Sequence, residues 1–238
     1  MKIALIGYGK MGKAIEEIAI ANGDEIVLKI SSSNKELFTV DNIKKTEVAL
    51  EFTNPHSAIE NIKKCIDADV PVISGSTGWL NQIDEVKNYC QEKNGCFLYA
   101  SNFSIGVNIF FEVNKLLAEL MSKQKDYDVT MEEIHHTQKK DAPSGTAITI
   151  AEQIMQKIPA KKEWVNNKTE DKNQLQIISK RIDEVPGTHK VLYSSFADDI
   201  EIIHTAHNRT GFASGALQAA KFVIDKKGFF EMKDVLGF

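Results

Sequence analysis

The feature that most constrains this chain stands at its start. A short apolar run, Lys2–Ile6, leads directly into Gly7-Tyr8-Gly9-Lys10-Met11-Gly12, and a helical pattern follows from Met11 to about residue 21. In a G-x-G-x-x-G between strand and helix, the first glycine makes a tight turn, the second lets backbone approach a pyrophosphate, and the third lets helix pack closely on strand. The N–H groups that open the helix then face an anion. The same rhythm continues: runs at 25–30, 48–52, 70–73 and 96–100 read as strands, with helical stretches at 55–68 and 80–91 between them. Strands separated by helices imply a parallel sheet with crossover helices.

After Ser104 the rhythm changes. A helix to about residue 121, an alternating strand at 127–134, a helix at 145–156 and a polar, lysine-rich stretch at 157–172 precede three strand-like runs at 174–181, 189–196 and 200–206. Strands in succession imply an antiparallel or mixed sheet. The expected fold is therefore α/β: an N-terminal Rossmann-type parallel-sheet domain plus a C-terminal α+β domain with a mixed or antiparallel sheet. A last helix, 215–224, is apolar on one face and fits either domain.

Composition excludes several classes. The 238 residues suit one or two domains, and 29 Lys plus Arg against 33 Asp plus Glu give a net charge of −4, which disfavours nucleic acid as a partner. Cys65, Cys90 and Cys96 contain no C-x-x-C pair, so neither a disulfide framework nor a zinc ribbon is expected. No apolar run approaches the roughly 18 residues that span a bilayer, and the N-terminal run is too short for a signal-peptide core. The expectation is a cytoplasmic protein without a membrane partner.

Cofactor choice in such folds is usually set by an acidic residue at the end of the second strand, bound to the ribose 2′-hydroxyl. Here that strand ends in Ile30-Ser31-Ser32-Ser33-Asn34-Lys35, with no carboxylate before Glu36. Ser32 and its neighbours, with Lys35 and Lys10, can accept a 2′-phosphate, so NADPH is expected to bind at least as well as NADH. Two more strand-end loops belong to the same cleft on this reading: Phe52-Thr53-Asn54-Pro55 and Gly75-Ser76-Thr77-Gly78.

The densest chemistry is Glu133-Ile134-His135-His136-Thr137-Gln138-Lys139-Lys140-Asp141-Ala142-Pro143-Ser144-Gly145-Thr146-Ala147. A strand delivers two histidines, and Pro143-Ser144-Gly145-Thr146 carries helix-start signals. The helix N-terminus and Lys139 can bind a carboxylate, while a histidine beside them can give up a proton near neutral pH. Adjacent histidines in a regular strand point to opposite faces, so at most one acts from within it. His204-Thr205-Ala206-His207 lacks a completing cysteine or carboxylate pair, and no metal is expected. Arg181 and Arg209 are further cations in this half.

Together these segments resemble the dihydrodipicolinate reductase (4-hydroxy-tetrahydrodipicolinate reductase) family of the diaminopimelate and lysine pathway. Residues 133–147 are similar to that family's long E-x-H-H-x-x-K-x-D-A-P-S-G-T-A signature. Gly7 to Gly12 resembles its cofactor loop, Phe52-Thr53 its D-F-T segment, Gly75 to Gly78 its G-T-T-G loop, and Ala100-Ser101-Asn102-Phe103-Ser104 its A-x-N-F-S motif. Departures are Ser76 for the usual first threonine, Glu51 where aspartate is common, and no acidic ribose-binding residue after the second strand.

The resemblance implies NAD(P)H-dependent reduction of a cyclic imine dicarboxylate, with His135 as acid and Lys139 as its catalytic partner. It further implies His136 as a substrate-binding residue, Ser144, Gly145 and Thr146 around a substrate carboxylate, and Phe103 beside the nicotinamide. It assigns residues 1–104 with 210–238 to the dinucleotide-binding domain and 105–209 to a substrate-binding and oligomerisation domain that forms a homotetramer. Another Rossmann oxidoreductase, such as an amino-acid or semialdehyde dehydrogenase, would share only the first half of these features. A non-catalytic NADP-binding sensor would need neither Lys139 nor the acid.

Overall fold

A computed structural model of the chain describes residues 1–208 and 210–238; Arg209 lies outside the described residues. The chain divides into two compact units, Met1–Ile105 with Thr210–Phe238, and Gly106–Arg209.

The first unit opens with β1 (Lys2–Ile6), α1 (Lys10–Ala21) and β2 (Glu25–Ile30). It continues through the short helix α2 (Val40–Ile43), β3 (Val48–Glu51), α3 (Pro55–Asp67), β4 (Val72–Ser74), α4 (Ile83–Glu92) and β5 (Cys96–Tyr99). The strands lie in the order β2-β1-β3-β4-β5, all parallel, with a sixth strand from the tail beyond β5. Strands β3 and β5 are buried along their whole length, as expected where helices cover both faces. On one face, Ala58, Ile62 and Cys65 of α3 pack with Val86 and Cys90 of α4; on the other, Ile15 and Ala19 of α1 pack with the C-terminal helix. Strand order reverses between β1 and β3, so the loops that follow these two strands flank the switch point where such sheets bind ligands.

The second unit comprises α5 (Ile105–Met121), β6 (Asp128–His135), α6 (Gly145–Lys157), β7 (Glu163–Val165), β8 (Gln174–Arg181), β9 (Gly187–Ser194) and β10 (Asp199–Ala206). Its sheet runs β10-β9-β6-β8-β7 and is mixed: β6 is parallel to β8 and antiparallel to β9. One face is covered by α5 and α6 through Val107, Phe110, Ala147, Ile150 and Ile154, which meet Leu175, Ile177 and Val191 of the sheet. Asn114, fully buried, donates to Ile150 O at 3.2 Å and Gln153 Oε1 at 3.0 Å and so ties the two helices.

The tail forms α7 (Thr210–Val223), β11 (Gly228–Phe230), which pairs with β5, and α8 (Met232–Leu236). Sequence patterning started this helix at residue 215; it begins at Thr210, and Gly215 lies inside it. Patterning also missed α2, β7, β11 and α8. Each has no more than five residues, too few for periodicity to separate from a loop. Among the described residues no helix is long and apolar enough to cross a membrane.

Candidate active site

The glycine loop after β1 is shaped by its neighbours. Gly7 has φ +98°, and a Cβ there would lie 2.1 Å from Phe52 O; one at Gly12 would lie 2.5 Å from Gly7 O. Gly9 has no such constraint: nothing of the protein lies within 4 Å of a Cβ placed there, so its absence of a side chain matters for something that approaches from outside. The N–H groups of Gly7 and Tyr8 donate to Ile30 O at 3.0 Å each and are spent on β2. The N–H groups of Gly9, Lys10, Met11 and Gly12 precede the first helical hydrogen bond, from Lys13 N to Gly9 O. Helix α1 has no side-chain cap and no acid in its first turn, as suits a phosphate rather than a carboxylate side chain. Lys10, on α1, and Ser32, after β2, are both exposed. The turn after β2 is tied by Asn34, which accepts from Ser31 N at 2.7 Å and donates to Lys29 O at 2.8 Å.

The loops after β3 and β4 are locked together by a residue that sequence reasoning did not place in the site. The Glu51 side chain, fully buried at the end of β3, accepts from Ser74 Oγ at 2.6 Å, Ser76 Oγ at 2.9 Å, Thr53 N at 3.1 Å and Thr53 Oγ1. Ser76 is thus an internal brace, and Thr77 is the exposed hydroxyl of its loop. Asn54 and Pro55 are the N-cap and first residue of α3. Gly75 makes room for the Phe52 ring, which would stand 2.2 Å from a Cβ there. Phe52 in turn meets Phe103, ring centroids 5.5 Å apart. Phe103 is only 3% exposed, so it supports the Phe52 face more than it offers a surface of its own.

In the second unit, alternation along β6 turns Val129, Met131, Glu133 and His135 inward. His136 follows the strand and lines a groove of about 750 Å³ with Thr137, Gln138, Asp183, Pro186 and His207. The two histidines therefore face different surroundings. His135 Nδ1 is 3.3 Å from Glu133 Oε2, its ring centroid is 5.1 Å from that of His189, and its Nε2 lies where a Cβ on Gly187 would come within 3.1 Å.

Ser144 caps α6 by accepting from Ala147 N at 3.2 Å, and its own N–H points at both Glu133 oxygens at 3.1 Å. Its Oγ is 3.2 Å from His189 Nε2. Ser144 is 2% exposed, so its hydroxyl, expected at a substrate carboxylate, is engaged within the protein. Gly145 is exposed and Thr146 half-buried at the same helix end. Lys139 is not an isolated charge: its Nζ donates to Asp141 Oδ2 at 2.9 Å. Arg181 pairs with Glu133 at 3.1 Å and donates to Asp141 O at 2.5 Å.

Electrostatics follow from this packing. Burial pushes Glu133 up, but the nearby His135 ring and the hydrogen bonds from Ser144 and Arg181 outweigh it and hold the carboxyl well below the usual range. His189, buried and packed close to the His135 ring, is pushed down to about 3 despite Glu133. A folded value below the unfolded 6.5 means the unfolded chain takes up more protons, so this stability is full above pH 6.5 and is lost as pH falls toward 3. Glu133 acts with the same sign below the ordinary carboxylate range. Urea unfolding at pH 7 and pH 5 is expected to show a loss approaching about 1.4 kcal/mol per pH unit from His189, and His189→Gln is expected to flatten it. Equal slopes in the two proteins would remove His189 as its source.

Glu133, His135 and His189 each bring a donor atom within 4.8 Å of the others, a spacing that could hold a metal ion. The Arg181 guanidinium already occupies the carboxylate from one side, and its charge opposes a cation there. The sequence test for metal considered His204 and His207, neither of which belongs to this cluster. Sequence reasoning passed over Glu133 and His189 as site residues. The period of two that places Glu133 on the same strand face as His135 was a usable signal; no local pattern announces His189, which arrives from β9.

Comparison with known proteins identifies the family of the whole chain. The family profile for dihydrodipicolinate reductase, N-terminus, matches residues 1–103, and that for its C-terminus matches residues 106–236. The chain is 47% identical to a 4-hydroxy-tetrahydrodipicolinate reductase of Christiangramia forsetii over 238 residues, covering 99% of this chain and 98% of that one. It is 32% identical to the protein of the same name from Methanocaldococcus jannaschii, over 98% of this chain and 81% of that one. Among solved structures, a dipicolinate-bound dihydrodipicolinate reductase from Paenisporosarcina sp. TG-14 shares the fold at a TM-score of 0.80 and 23% identity, covering 98% and 99% of the two chains. An amine dehydrogenase from Mycobacterium smegmatis follows at 0.62 and 8% identity, covering 96% and 93%. On matches that span both units, the chain belongs to the dihydrodipicolinate reductase family.

Proposed function

We propose that this chain reduces 4-hydroxy-tetrahydrodipicolinate, or its dehydrated form dihydrodipicolinate, to tetrahydrodipicolinate, using NADPH at least as well as NADH. The observation that carries the reading is the full-length likeness, at 47% identity, to a reductase of that name. The chemistry of the site is consistent with it. The reduced nicotinamide supplies a hydride when bound. The N–H groups of Gly9, Lys10, Met11 and Gly12 hold the pyrophosphate, Thr53 and Thr77 offer hydroxyls to the rest of the cofactor, and Lys10 with Ser32 suits a 2′-phosphate because no carboxylate stands at the end of β2.

On the substrate, the N–H groups of Gly145 and Thr146 and the Lys139 ammonium hold a carboxylate, with His136 beside it. Lys139 exchanges its Asp141 partner for the substrate anion. Hydride addition at C4 of the conjugated ring drives negative charge toward the nitrogen; Lys139 stabilises that charge and His135 gives a proton to the enamine. The homotetramer that the family resemblance implies is in keeping with an edge strand, β10, on which Ile203 is exposed.

The test is oxidation of NADPH and of NADH with freshly generated substrate, followed by loss of nicotinamide absorbance, alongside fluorescence titration of each cofactor. Substrate-dependent oxidation is expected with both, and NADPH is expected to bind no more weakly than NADH. Absence of turnover with either cofactor overturns the activity; NADH binding about tenfold tighter overturns the cofactor choice and would point to an undiscovered ribose contact.

A further inference from the structure

We infer that Glu51 is a positioning residue for the nicotinamide cofactor: its buried carboxylate clamps the loop after β3 to the loop after β4, and it turns the Thr53 hydroxyl so that this group meets a ligand as an acceptor. This rests on the reading of the first unit as the cofactor-binding half. Strands β3 and β4 are paired as far as Glu51 and Ser74, and a backbone bond from Gly75 N to Glu51 O at 3.0 Å follows. Beyond that point the Glu51 side chain takes over. Its Oε1 accepts from Thr53 N at 3.1 Å, from Ser76 Oγ at 2.9 Å and from Thr53 Oγ1, while Oε2 accepts from Ser74 Oγ at 2.6 Å.

The direction of each hydrogen follows from the acceptor. A carboxylate accepts only, so the hydroxyls of Ser74, Ser76 and Thr53 each point their hydrogen at Glu51. Ser76 Oγ keeps its lone pairs, and Thr53 N donates to them at 2.8 Å, which joins the two loops directly as well as through the acid. Thr53 Oγ1, with its hydrogen on Glu51, offers lone pairs alone. Ser57 Oγ at 3.0 Å and Asn61 Nδ2 at 3.2 Å lie within reach of them, so a ribose hydroxyl that reaches Thr53 has to donate to it in place of one of these. Glu51 is 0% exposed and cannot touch a ligand itself. Its partners are neutral hydroxyl and amide donors, and removing the acceptor leaves them unpaired inside the protein. The clamp also reaches the glycine loop. The Phe52 carbonyl limits Gly7 and the Phe52 ring limits Gly75, so a shift of residues 51–53 displaces the walls of both turns together.

The test compares Glu51→Leu with Glu51→Gln by fluorescence titration of NADPH, steady-state kinetics and amide hydrogen exchange. Leucine has a similar volume and no acceptor: NADPH binding is expected to weaken about 10- to 100-fold, while KM for the imine changes less than about threefold. Glutamine keeps one oxygen where the donors of Thr53 and Ser76 meet and sets its amide against Ser74, whose hydroxyl turns round to accept, so NADPH binding is expected within about threefold of wild type. In the unliganded wild type the Thr53 amide is expected to exchange slowly, and in Glu51→Leu at the rate of an open loop. A folded Glu51→Leu that binds NADPH as the wild type does overturns the inference, since a merely structural brace lowers the melting temperature and leaves affinity alone. Glutamine as weak as leucine also overturns it, because charge rather than the acceptor is then what matters. Should Glu51→Leu not fold, Ser76→Ala takes its place: it is expected to weaken NADPH binding about 3- to 10-fold, and wild-type affinity in it overturns the inference. Rapid exchange of the Thr53 amide in the unliganded wild type overturns the clamp without any variant. A wild type that binds neither NADPH nor NADH would instead overturn the cofactor reading itself, and the exchange measurement stands apart from that result.

Discussion

His135→Gln is expected to lower kcat about 10²- to 10⁴-fold, the range for removing a general acid, while cofactor affinity stays within about twofold. The magnitude follows from where the residue sits. His135 is 7% exposed and packed on one side by Glu133 and on another by His189, so its ring is held in one place. Glutamine fills most of the same space and can still donate a hydrogen bond, but it cannot release a proton near neutral pH, so the loss isolates acid chemistry from packing. The glycine loop, Thr53 and Thr77 all belong to the other unit, which is why cofactor titration serves as the control. Steady-state rates with NADPH and fresh substrate, measured beside fluorescence titration, provide the check. Unchanged turnover in a variant that binds cofactor normally would move the acid to another residue.

How far the sequence could reach is visible residue by residue. The strand–glycine–helix opening was legible because three glycines at fixed spacing fall between an apolar run and a helical pattern, and Gly7 and Gly12 sit where a Cβ would strike backbone. The motif singles out His135 and Lys139 as candidates. Their relations were not legible: that Asp141 neutralises Lys139, or that Ser144 spends both its N–H and its hydroxyl inside the protein, depends on side-chain directions that spacing does not encode. Glu51 and Glu133 illustrate the other gap. Each is a fully buried carboxylate on a strand, and each braces residues far away in sequence, Ser74 and Ser76 for one, Arg181 and His189 for the other. Such a residue is readable as an anomaly, because unpaired charges are rarely buried, but its partners come only with the sheet order. The tail strand β11 is likewise fixed by its pairing with β5 rather than by local pattern.

Gly215→Ala is expected to destabilise the protein by about 3 kcal/mol or more, lowering the melting temperature by about 10 °C, and to weaken cofactor binding with it. Local preference argues the reverse, since alanine in a helix interior is favoured over glycine by about 1 kcal/mol. Packing decides the sign. A Cβ at Gly215 would stand 1.8 Å from Phe103 O and 2.9 Å from its carbonyl carbon. These are backbone atoms, so a rotamer change cannot relieve the clash; α7 or the segment carrying Phe103 has to move. Phe103 is packed on Phe52, the residue whose carbonyl meets Gly7 and whose ring meets Gly75. A displaced Phe103 therefore disturbs the glycine loop through two contacts, and stability and cofactor affinity fall together. Gly211, in the same helix, gives the contrast: a Cβ there finds only Ser104 Oγ at 3.7 Å, an ordinary contact, so Gly211→Ala is expected to be neutral or to stabilise by about 0.5–1 kcal/mol. Thermal unfolding of both variants, with NADPH titration of each, checks the pair. A wild-type melting temperature for Gly215→Ala would mean that α7 can slide without cost, and that the tail is not what holds Phe103 against the cofactor loops.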